Sequence, residues 1–403
     1  MCLESLVMEY RKYSLGELAV KIFSGGTPST KNSNYWNGEY NWLSSGETSN
    51  DFVIDTNSRI TQLAVKESST KLAEAGDVLI ASAGQGKTRG QTSFLKIDSY
   101  INQSIIAIRS NNDILNNLYL YYNLKSRYDE LRWISDSTST RGSLTTKILK
   151  EFSISIPDLH YQKAIANILY SLDYKIIIND KIIENLEEQA QAIFKSWFVD
   201  FEPFQDGNFV ESELGLVPEG WEVKELGEFF PVKTGKKNAN IAIKDGEYPF
   251  FTCSQDISFT DDYSYEENSI LLAGNGDFNV KRFNGKFEAY QRTYILTPYD
   301  EKLVAFLYNL INYFLPNIVS GYKGSVINYI TKGMIEDFQI VLPSDLNNLN
   351  VIDVFNAIDT NVSNLKEQND KLAQTRDTLL PKLMSGEIDV SNIKIDDEDI
   401  DYE

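Results

Sequence analysis

Cysteine and histidine are scarce in this sequence. The 403-residue chain contains two cysteines, Cys2 and Cys253, and one histidine, His160. Two cysteines exclude a disulfide framework, a cysteine zinc cluster and an iron–sulfur site within one chain. A single histidine excludes a His-x-x-x-His metal pair, and a Ser-His-Asp triad would have to use that one residue. We interpret His160 as a solvated residue at the start of a helix, because a long helical pattern follows it.

Long apolar runs are also missing. The chain has no stretch of ~18 uninterrupted apolar residues, and its first residues, Met1 to Glu4, lack the basic and then apolar order of a signal peptide. We therefore expect a cytoplasmic protein without membrane contact. With 42% hydrophobic and 24% charged residues, the composition is that of a globular protein. The length corresponds to two or three domains of ~150 residues.

Basic residues are outnumbered. Lys and Arg total 38 against 58 Asp and Glu, which gives a net charge of −20. Taken alone, this balance argues against nucleic-acid binding, because phosphate neutralisation needs cations. The acidic excess is uneven, however, since the segment from Glu387 to Glu403 holds eight acids and one base. A basic face elsewhere on the protein is compatible with it.

The sequence repeats itself. The segment Leu15–Leu18 reappears as Leu226–Phe229, and Asp77–Ala81 reappears as Ser269–Ala273. Pro157 matches Pro343, and from these residues onward the two copies align without insertions or deletions. We therefore predict a tandem duplication of a unit of about 190 residues, with shorter loops in the second copy.

Each copy has a mixed part followed by a helical part. Short apolar runs broken by Gly, Asn, Ser and Pro predict strands and turns in the mixed part. The predicted fold class is α+β, with two mixed α/β domains in pseudo-two-fold tandem repeat, joined by two long antiparallel coiled-coil helices. The predicted boundaries are residues 1–157 for the first mixed domain, 158–206 for the first helical region, 207–343 for the second mixed domain, 344–390 for the second helical region and 391–403 for a flexible acidic tail.

The helical parts carry apolar residues at spacings of three, four or seven, which indicate the seam of a coiled coil. We expect about 35 residues in each helix, or ~50 Å at 1.5 Å per residue. Gly207 and Gly386 provide helix stops. Antiparallel pairing within the chain would set the mixed domains at opposite ends of a rod, which suits the reading of two separated places on duplex DNA. A dimerisation rod, in a coiled-coil adaptor that binds only protein, is the alternative.

Several segments resemble a known family. Phe194–Phe204 and Leu379–Ile388 resemble the conserved-region endings of the specificity subunits of type I restriction-modification enzymes. Ser24–Ser29, Tyr35–Gly38 and Val217–Trp221 are similar to the starts of that family's target-recognition domains. The resemblance covers nearly the whole chain except the acidic tail.

The resemblance implies a non-catalytic, DNA-reading subunit. Each target-recognition domain would read one half of a bipartite, asymmetric DNA site, and the paired helices would fix the gap. Such subunits recruit two modification subunits, which methylate adenine with S-adenosylmethionine, and restriction subunits that use ATP and Mg; no cofactor or metal is expected in this chain. The second copy departs from the opening motif at Lys233–Asn238, which implies a different half-site.

Two motifs imitate enzymes. The segment Gly84–Thr88, preceded by an apolar run, fits a loose phosphate-loop pattern and leaves a nucleotide-dependent enzyme as an alternative function. A phosphate loop must be followed by a helix, whereas the following segment, Arg89–Phe94, predicts a turn and a strand.

Asp173 and Lys175 fit a nuclease pattern, but side chains two residues apart on a helix do not face each other. No Asn-Pro-Pro or Asp-Pro-Pro methyltransferase motif occurs, so no catalytic residue is predicted.

Loops that combine bases, amides and hydroxyls are the predicted DNA contacts. Residues 81–109 hold four bases and one acid, and residues 274–292 hold four bases and two acids. The predicted DNA-binding residues are Gln85, Lys87, Arg89, Gln91, Gln103, Thr138, Thr140, Arg141, Ser143, Lys236, Lys237, Asn275, Asn279, Lys281, Arg282, Gln291, Arg292, Tyr322 and Lys323. The helix endings are the predicted surface for the partner subunits, through Ile193, Phe194, Trp197, Phe198, Leu379, Leu380, Leu383 and Met384.

Overall fold

The chain forms two compact units. The computed structural model describes residues 9–84, 87–138, 142–244, 246–320, 329–346 and 349–393. Unit 1 combines residues 1–177 with residues 369–403, and unit 2 consists of residues 178–368. Unit 1 is therefore built from two separate stretches of the chain. The division falls inside the two long helices.

Unit 1 begins with short strands and helices. Its elements are β1 (Arg11–Ser14), α1 (Leu15–Leu18), β2 (Ala19–Ser24), β3 (Trp36–Leu43), β4 (Phe52–Val53), β5 (Ser58–Ile60), α2 (Gln62–Glu67), β6 (Lys71–Ala73), β7 (Val78–Ala81), β8 (Thr92–Leu95), β9 (Ser99–Ile101), β10 (Ile105–Ser110), α3 (Asn117–Ser126), α4 (Tyr128–Thr138), α5 (Thr146–Glu151) and β11 (Ser153–Ile156). The long helix α6 (Leu159–Phe198) then continues into unit 2.

The strands of unit 1 form a five-stranded sheet, a four-stranded sheet and the pair β1-β11. The five-stranded sheet has the order β2-β10-β7-β8-β4, and the four-stranded sheet has the order β5-β3-β9-β6. All four residues of β7 are buried, as their uninterrupted apolar run predicts. Helix α3 supplies Tyr119, Tyr121 and Tyr122 to the same core. We call residues 9–156 the first head.

Unit 2 repeats this plan with fewer elements between the shared ones. After α6 come β12 (Phe209–Ser212), β13 (Gly215–Pro218), β14 (Trp221–Glu225), β15 (Val232–Thr234), β16 (Tyr248–Phe251), β17 (Ser258–Thr260), β18 (Tyr265–Ala273), β19 (Val280–Ala289), β20 (Thr293–Leu296), α7 (Val304–Ser320), α8 (Lys332–Glu336), β21 (Gln339–Pro343) and the second long helix, α9 (Asn350–Ser385). A six-stranded sheet has the order β15-β20-β18-β19-β16-β17. We call residues 221–343 the second head.

Helix α7 lies in the core of the second head. The stretch Glu301–Ser320 is long and apolar enough to cross a membrane by length and composition, and half of it is buried inside the protein. Its residues Phe306, Leu307 and Leu310 are fully buried against the sheet. The burial accounts for its apolar composition, because a core helix needs apolar residues over much of its surface.

The predicted duplication is confirmed by the backbone. The pair β1-β11 of the first head corresponds to β14-β21 of the second. The amide of Leu15 donates to the carbonyl of Phe152 at 2.8 Å, and the amide of Leu226 donates to that of Phe338 at 3.0 Å. The fold class predicted from the sequence, two mixed domains with two long helices, is thus the fold observed.

The two long helices run antiparallel in unit 2. In unit 2, Asn179 Nδ2 donates to Gln368 Oε1 at 2.8 Å, and Glu187 contacts Lys366 further along. Helix α6 has 40 residues and α9 has 36, close to the expected length. The predicted stop at Gly386 is confirmed, with φ of +76°. The stop at Gly207 was wrong: α6 ends at Phe198, and Phe201 adopts the left-handed region soon after, at φ of +53°.

Candidate nucleic-acid interface

A tight turn in the second head presents two of the predicted DNA contacts. The turn joins β19 to β20, and the amide of Thr293 donates to the carbonyl of Tyr290 at 2.8 Å. Gln291 and Arg292 occupy its centre and are exposed. Its backbone is held on both sides, by the carbonyl of Lys237 in the loop after β15 and by the amide of Gly274 just after β18. The turn is therefore a fixed platform for two polar side chains.

Other predicted contacts of the second head surround this turn. Lys236 is exposed and Lys237 half-buried in the loop after β15, and Asn275 forms a bridge with Tyr329. A cavity of about 480 Å³ opens beside the turn, with Arg292 and Lys332 on its wall. The cations Arg292 and Lys332 thus lie near the side-chain amide of Gln291. Such a surface is suited to contact DNA phosphates and base edges.

Tyr329 and Lys332 were missed from the sequence. The side chain of Tyr329 is 56% exposed, and both residues line the cavity beside Arg292. The sequence-based prediction named Tyr322 and Lys323 in the preceding loop, and Tyr329 and Lys332 follow that loop. Only the return of the chain to Gly274, where the amide of Ile330 donates at 2.8 Å, brings them to the turn.

Three predicted contacts of the second head serve the fold instead. Asn279 is buried, and its Nδ2 donates to the carbonyl of Cys253 at 3.1 Å. Lys281 Nζ donates to the carbonyl of Ser254 at 2.6 Å, and burial lowers the pKa of Lys281. The guanidinium of Arg282 forms an ion pair with Asp359. These side chains are occupied within the protein, so the sequence-based assignment to DNA does not fit their positions.

The first head has a corresponding turn. It joins β9 to β10, and the amide of Ile105 contacts the carbonyl of Asn102 at 3.4 Å. Gln103, at its centre, is exposed, and its Oε1 accepts a hydrogen bond from the hydroxyl of Thr27. Lys87 is exposed on a nearby loop whose carbonyl accepts from the hydroxyl of Tyr128 at 2.8 Å.

Arg89 was expected to face DNA and is instead buried, with 8% of its surface exposed. It forms an ion pair with Asp136 of α4 and donates to the carbonyl of Gly142 at 3.0 Å. Gln91 and Ser143 are half-buried. After Thr88 the chain makes a turn and enters β8 rather than a helix, so this loop lacks the helix N-terminus that cradles phosphates in a nucleotide site.

Several predicted contacts lie outside the described residues. They are Gln85, Thr140, Arg141, Tyr322 and Lys323, together with the side chain of Thr138. They stay predictions.

The predicted partner surface is largely interior. Phe194 and Phe198 are buried in the core of unit 2, with their rings against Phe306. Leu380 and Leu383 are likewise buried in the core of unit 1. The remaining four residues, which are partly buried against the same cores, are Ile193, Trp197, Leu379 and Met384. These residues therefore anchor the long helices to the heads, which leaves less of them for a partner than their sequence position indicated.

The nuclease-like Asp173 is engaged in an ion pair. Its carboxylate contacts Arg376 at 2.5 Å and accepts from the hydroxyl of Tyr122 at 2.6 Å. Within the described part of the chain, no group of three or more His, Cys, Asp and Glu side chains is placed to hold a metal ion.

The chain is similar to proteins of one family. A family model described as "Type I restriction modification DNA specificity domain" matches residues 8–188 and 218–374. The type I restriction enzyme MjaIX specificity subunit of Methanocaldococcus jannaschii is 30% identical over 94% of this chain and 93% of its own length. The EcoDI specificity subunit of Escherichia coli is 37% identical over 43% of this chain and 40% of its own length.

A solved structure shares the fold. It is the crystal structure of the type I restriction-modification S subunit from M. genitalium, with a TM-score of 0.57 and 18% identity. The match covers 95% of this chain and 98% of that one. The two matched segments of the family model contain the two heads, so the family pattern and the duplication coincide.

Proposed function

Since the chain belongs to the type I restriction-modification DNA specificity family, we propose that each of its two heads reads one half of a bipartite, asymmetric DNA site. As a specificity subunit it recognises DNA sequence and is not itself an enzyme. The methyl transfer and any cleavage then belong to partner subunits. Two modification subunits with S-adenosylmethionine, and restriction subunits with ATP and Mg, are the partners that this role requires.

One observation carries the proposal. The two heads share a backbone frame and a glutamine at its centre, Gln103 and Gln291, but the next residue differs, Ser104 in one head and Arg292 in the other. A shared frame with different contact residues is suited to reading two different short sequences. The contact set that remains exposed or half-exposed in the described residues includes Lys87, Gln91, Gln103, Ser143, Lys236, Lys237, Asn275, Gln291 and Arg292.

The long helices set the gap between the half-sites in this proposal. Helix α6 runs without a break from unit 1 into unit 2, and α9 runs back. Helices have a fixed rise of ~1.5 Å per residue, so their length is a defined spacer. The net charge of −20 is compatible with DNA binding, since loops of the heads carry exposed bases such as Lys87, Lys236 and Arg292.

A domain exchange tests the proposal. Residues 221–343 are replaced by the second head of another specificity subunit, and the chain is expressed with its methyltransferase in a methylation-free host. Methylome sequencing should show a change in one half-site only, because each head has its own fold and loops. The unaltered chain is the control. A chimaera that alters both half-sites, or an unaltered chain that directs methylation to one continuous motif, would contradict the proposal.

A further inference from the structure

We propose that one structurally equivalent turn in each head reads a base pair through a glutamine, Gln103 in the first head and Gln291 in the second, and that Arg292 reads an additional base in the second half-site. This inference rests on the proposed function and specifies which side chains carry it. The ligand of each turn is the major-groove edge of duplex DNA, with adenine as the base that a glutamine amide recognises.

The equivalence of the two turns follows from four backbone contacts that occur in both heads. The first residue of each turn is fixed to a neighbouring strand: Asn102 donates to Leu43 at 3.1 Å, as Tyr290 donates to Phe251 at 2.9 Å. The fourth residue closes each turn, since Ile105 contacts Asn102 and Thr293 contacts Tyr290. Asn102 of the first head therefore corresponds to Tyr290 of the second.

The third residue of each turn is fixed in the same way. The carbonyl of Ser104 accepts from the amide of Ser82 at 2.8 Å, and the carbonyl of Arg292 accepts from the amide of Gly274 at 2.8 Å. The segment that precedes the last helix of the head then completes the frame. Leu144 donates to Ser82 at 2.9 Å, and Ile330 donates to Gly274 at 2.8 Å.

Close packing under each turn limits its movement. A Cβ atom on Gly25 would lie 1.8 Å from the carbonyl oxygen of Ile101, and one on Gly235 would lie 2.2 Å from that of Ala289. In both heads a glycine is therefore required beneath the strand that leads into the turn. A turn pinned by its own backbone on three sides can hold a side chain against a base at little further entropic cost.

Chemistry favours base reading by the glutamines. The second position of each turn is a glutamine, exposed in both heads. Its amide offers a donor and an acceptor side by side, which matches N7 and N6 of adenine in the major groove. In the first head the hydroxyl of Thr27 donates to Gln103 Oε1 and orients the amide. Two other predicted DNA-contacting residues, Arg89 and Arg282, form ion pairs with Asp136 and Asp359 instead.

The third position distinguishes the heads. Ser104 is half-buried in the first head, whereas Arg292 is exposed in the second and faces the cavity with Lys332. An arginine binds guanine O6 and N7 in a bidentate manner. The second half-site should therefore contain a guanine next to the adenine that Gln291 contacts, and the first half-site should lack that requirement.

Single and reciprocal substitutions test the assignment. The full chain is expressed with its methyltransferase, and methylome sequencing first fixes the two half-sites of the wild type. Gln103→Ala should relax one position of the first half-site only, and Gln291→Ala one position of the second only. In duplex-binding measurements with the purified full chain, discrimination at that position should fall by about 5- to 150-fold. Gln62→Ala and Gln255→Ala, both at exposed glutamines elsewhere on the heads, should change neither half-site.

Two reciprocal substitutions exchange the residues at the third position of the turns, Ser104 and Arg292. Arg292→Ser should remove the guanine requirement from the second half-site, and Ser104→Arg should add a base requirement to the first. If Arg292→Ser weakens binding to all duplexes alike and lowers their salt dependence, Arg292 holds a phosphate, and its assignment to a base is overturned.

The remaining outcomes separate this inference from the proposed function. The inference is overturned if both glutamine variants keep both half-sites unchanged, or if one substitution changes both half-sites. In either case, a bipartite motif of the wild type would still support the proposed function. A wild type that reads one continuous motif would instead refute the function. A variant can melt like the wild type and still methylate nothing. In that case, binding of the purified variant to DNA duplexes is measured. Loss of discrimination in one half-site then supports the inference, and loss of all binding overturns it.

Discussion

Asp173 of α6 and Arg376 of α9 form a buried ion pair, with Asp173 Oδ1 2.5 Å from Arg376 Nη1. The side chains are 3% and 11% exposed. The hydroxyl of Tyr122 donates to the other carboxylate oxygen at 2.6 Å, and Arg376 also contacts Asp51 of the first head at 3.3 Å. One arginine thus joins the second long helix to the first helix and to the sheet of unit 1.

The repeat keeps this aspartate and changes its partner. Asp359 corresponds to Asp173 at the same offset that relates Pro343 to Pro157, and it pairs with Arg282 of β19. At that offset the counterpart of Arg376 is Ala190, which is buried. The duplication has therefore preserved a carboxylate that pairs with an arginine, while the arginine lies on a helix in one unit and on a strand in the other.

The first prediction concerns this pair. Arg376→Met leaves Asp173 charged and without its main partner in the core, so unit 1 should lose about 3–5 kcal/mol of unfolding free energy. Calorimetric melting of the full chain measures the loss. The matched control is Lys366→Met, which breaks an exposed pair with Glu187 and should cost less than about 1 kcal/mol. Equal shifts for the two variants would show that the buried pair contributes no more than a surface pair.

The second prediction concerns the phosphate-loop imitation. Lys87→Ala should weaken binding to all duplexes alike and reduce the log–log salt slope by about one, because it removes one exposed phosphate-binding cation. Lys66→Ala, an exposed lysine on α2, is the charge-matched control and should leave the slope unchanged. Neither the wild type nor the variant should hydrolyse ATP. An ATPase activity that Lys87→Ala abolishes would establish the nucleotide-dependent alternative.

The third prediction concerns the glycine under the first turn. Gly25→Ala places a Cβ atom 1.8 Å from a backbone oxygen, so β9 must shift, at a cost of about 1–3 kcal/mol. Recognition of the first half-site should weaken and that of the second should persist. Gly46→Ala is the control, since its added Cβ would meet Ser44 Oγ at 3.7 Å, an ordinary contact. Binding and melting measurements on both variants check this, and wild-type behaviour of Gly25→Ala would contradict the packing argument.

The fourth prediction concerns the spacer. Deletion of residues 179–185 from α6 together with residues 362–368 from α9 removes segments that face each other, as the Asn179–Gln368 contact shows. Seven residues are one heptad, so the seam stays in phase while each helix shortens by ~10 Å. The gap between half-sites should shorten by about three base pairs at ~3.4 Å each.

Methylome sequencing reads the gap directly. Deletion of five residues from each helix is the control, because it rotates the apolar seam out of register and should abolish assembly. The half-sites themselves should stay the same, since the deletion touches neither head. An active seven-residue variant with the original gap would show that the helices do not set the spacing.

Local patterns predicted much of the fold. The seam of apolar residues predicted both helices, and the repeated segments predicted the two similar heads. The end of α6 was misplaced because Phe201 adopts a left-handed conformation that no local signal in the sequence indicates. Antiparallel pairing of the helices was predicted from the sequence, but periodicity does not say at which residue α9 passes from unit 2 into unit 1.

The candidate site was predicted less well, for a physical reason. Arg89 and Arg282 stand in basic, loop-rich segments like the exposed Lys87, and the sequence treats them alike. Both arginines form ion pairs, with Asp136 and Asp359, which lie on other elements far along the chain. A carboxylate brought close by tertiary structure decides whether an arginine is free for DNA, and no pattern within a short window contains that information.

The composition of unit 1 from two chain segments has a consequence for biosynthesis. Unit 2 is one continuous stretch, complete once residue 368 has left the ribosome, whereas unit 1 waits for residues 369 onward. Until then its core lacks Leu380, Leu383 and Val390, all buried in the finished protein. Translation that stops early therefore leaves an unfinished, apolar surface that proteases and chaperones recognise. Helix α9 is therefore needed before the core of unit 1 can be completed.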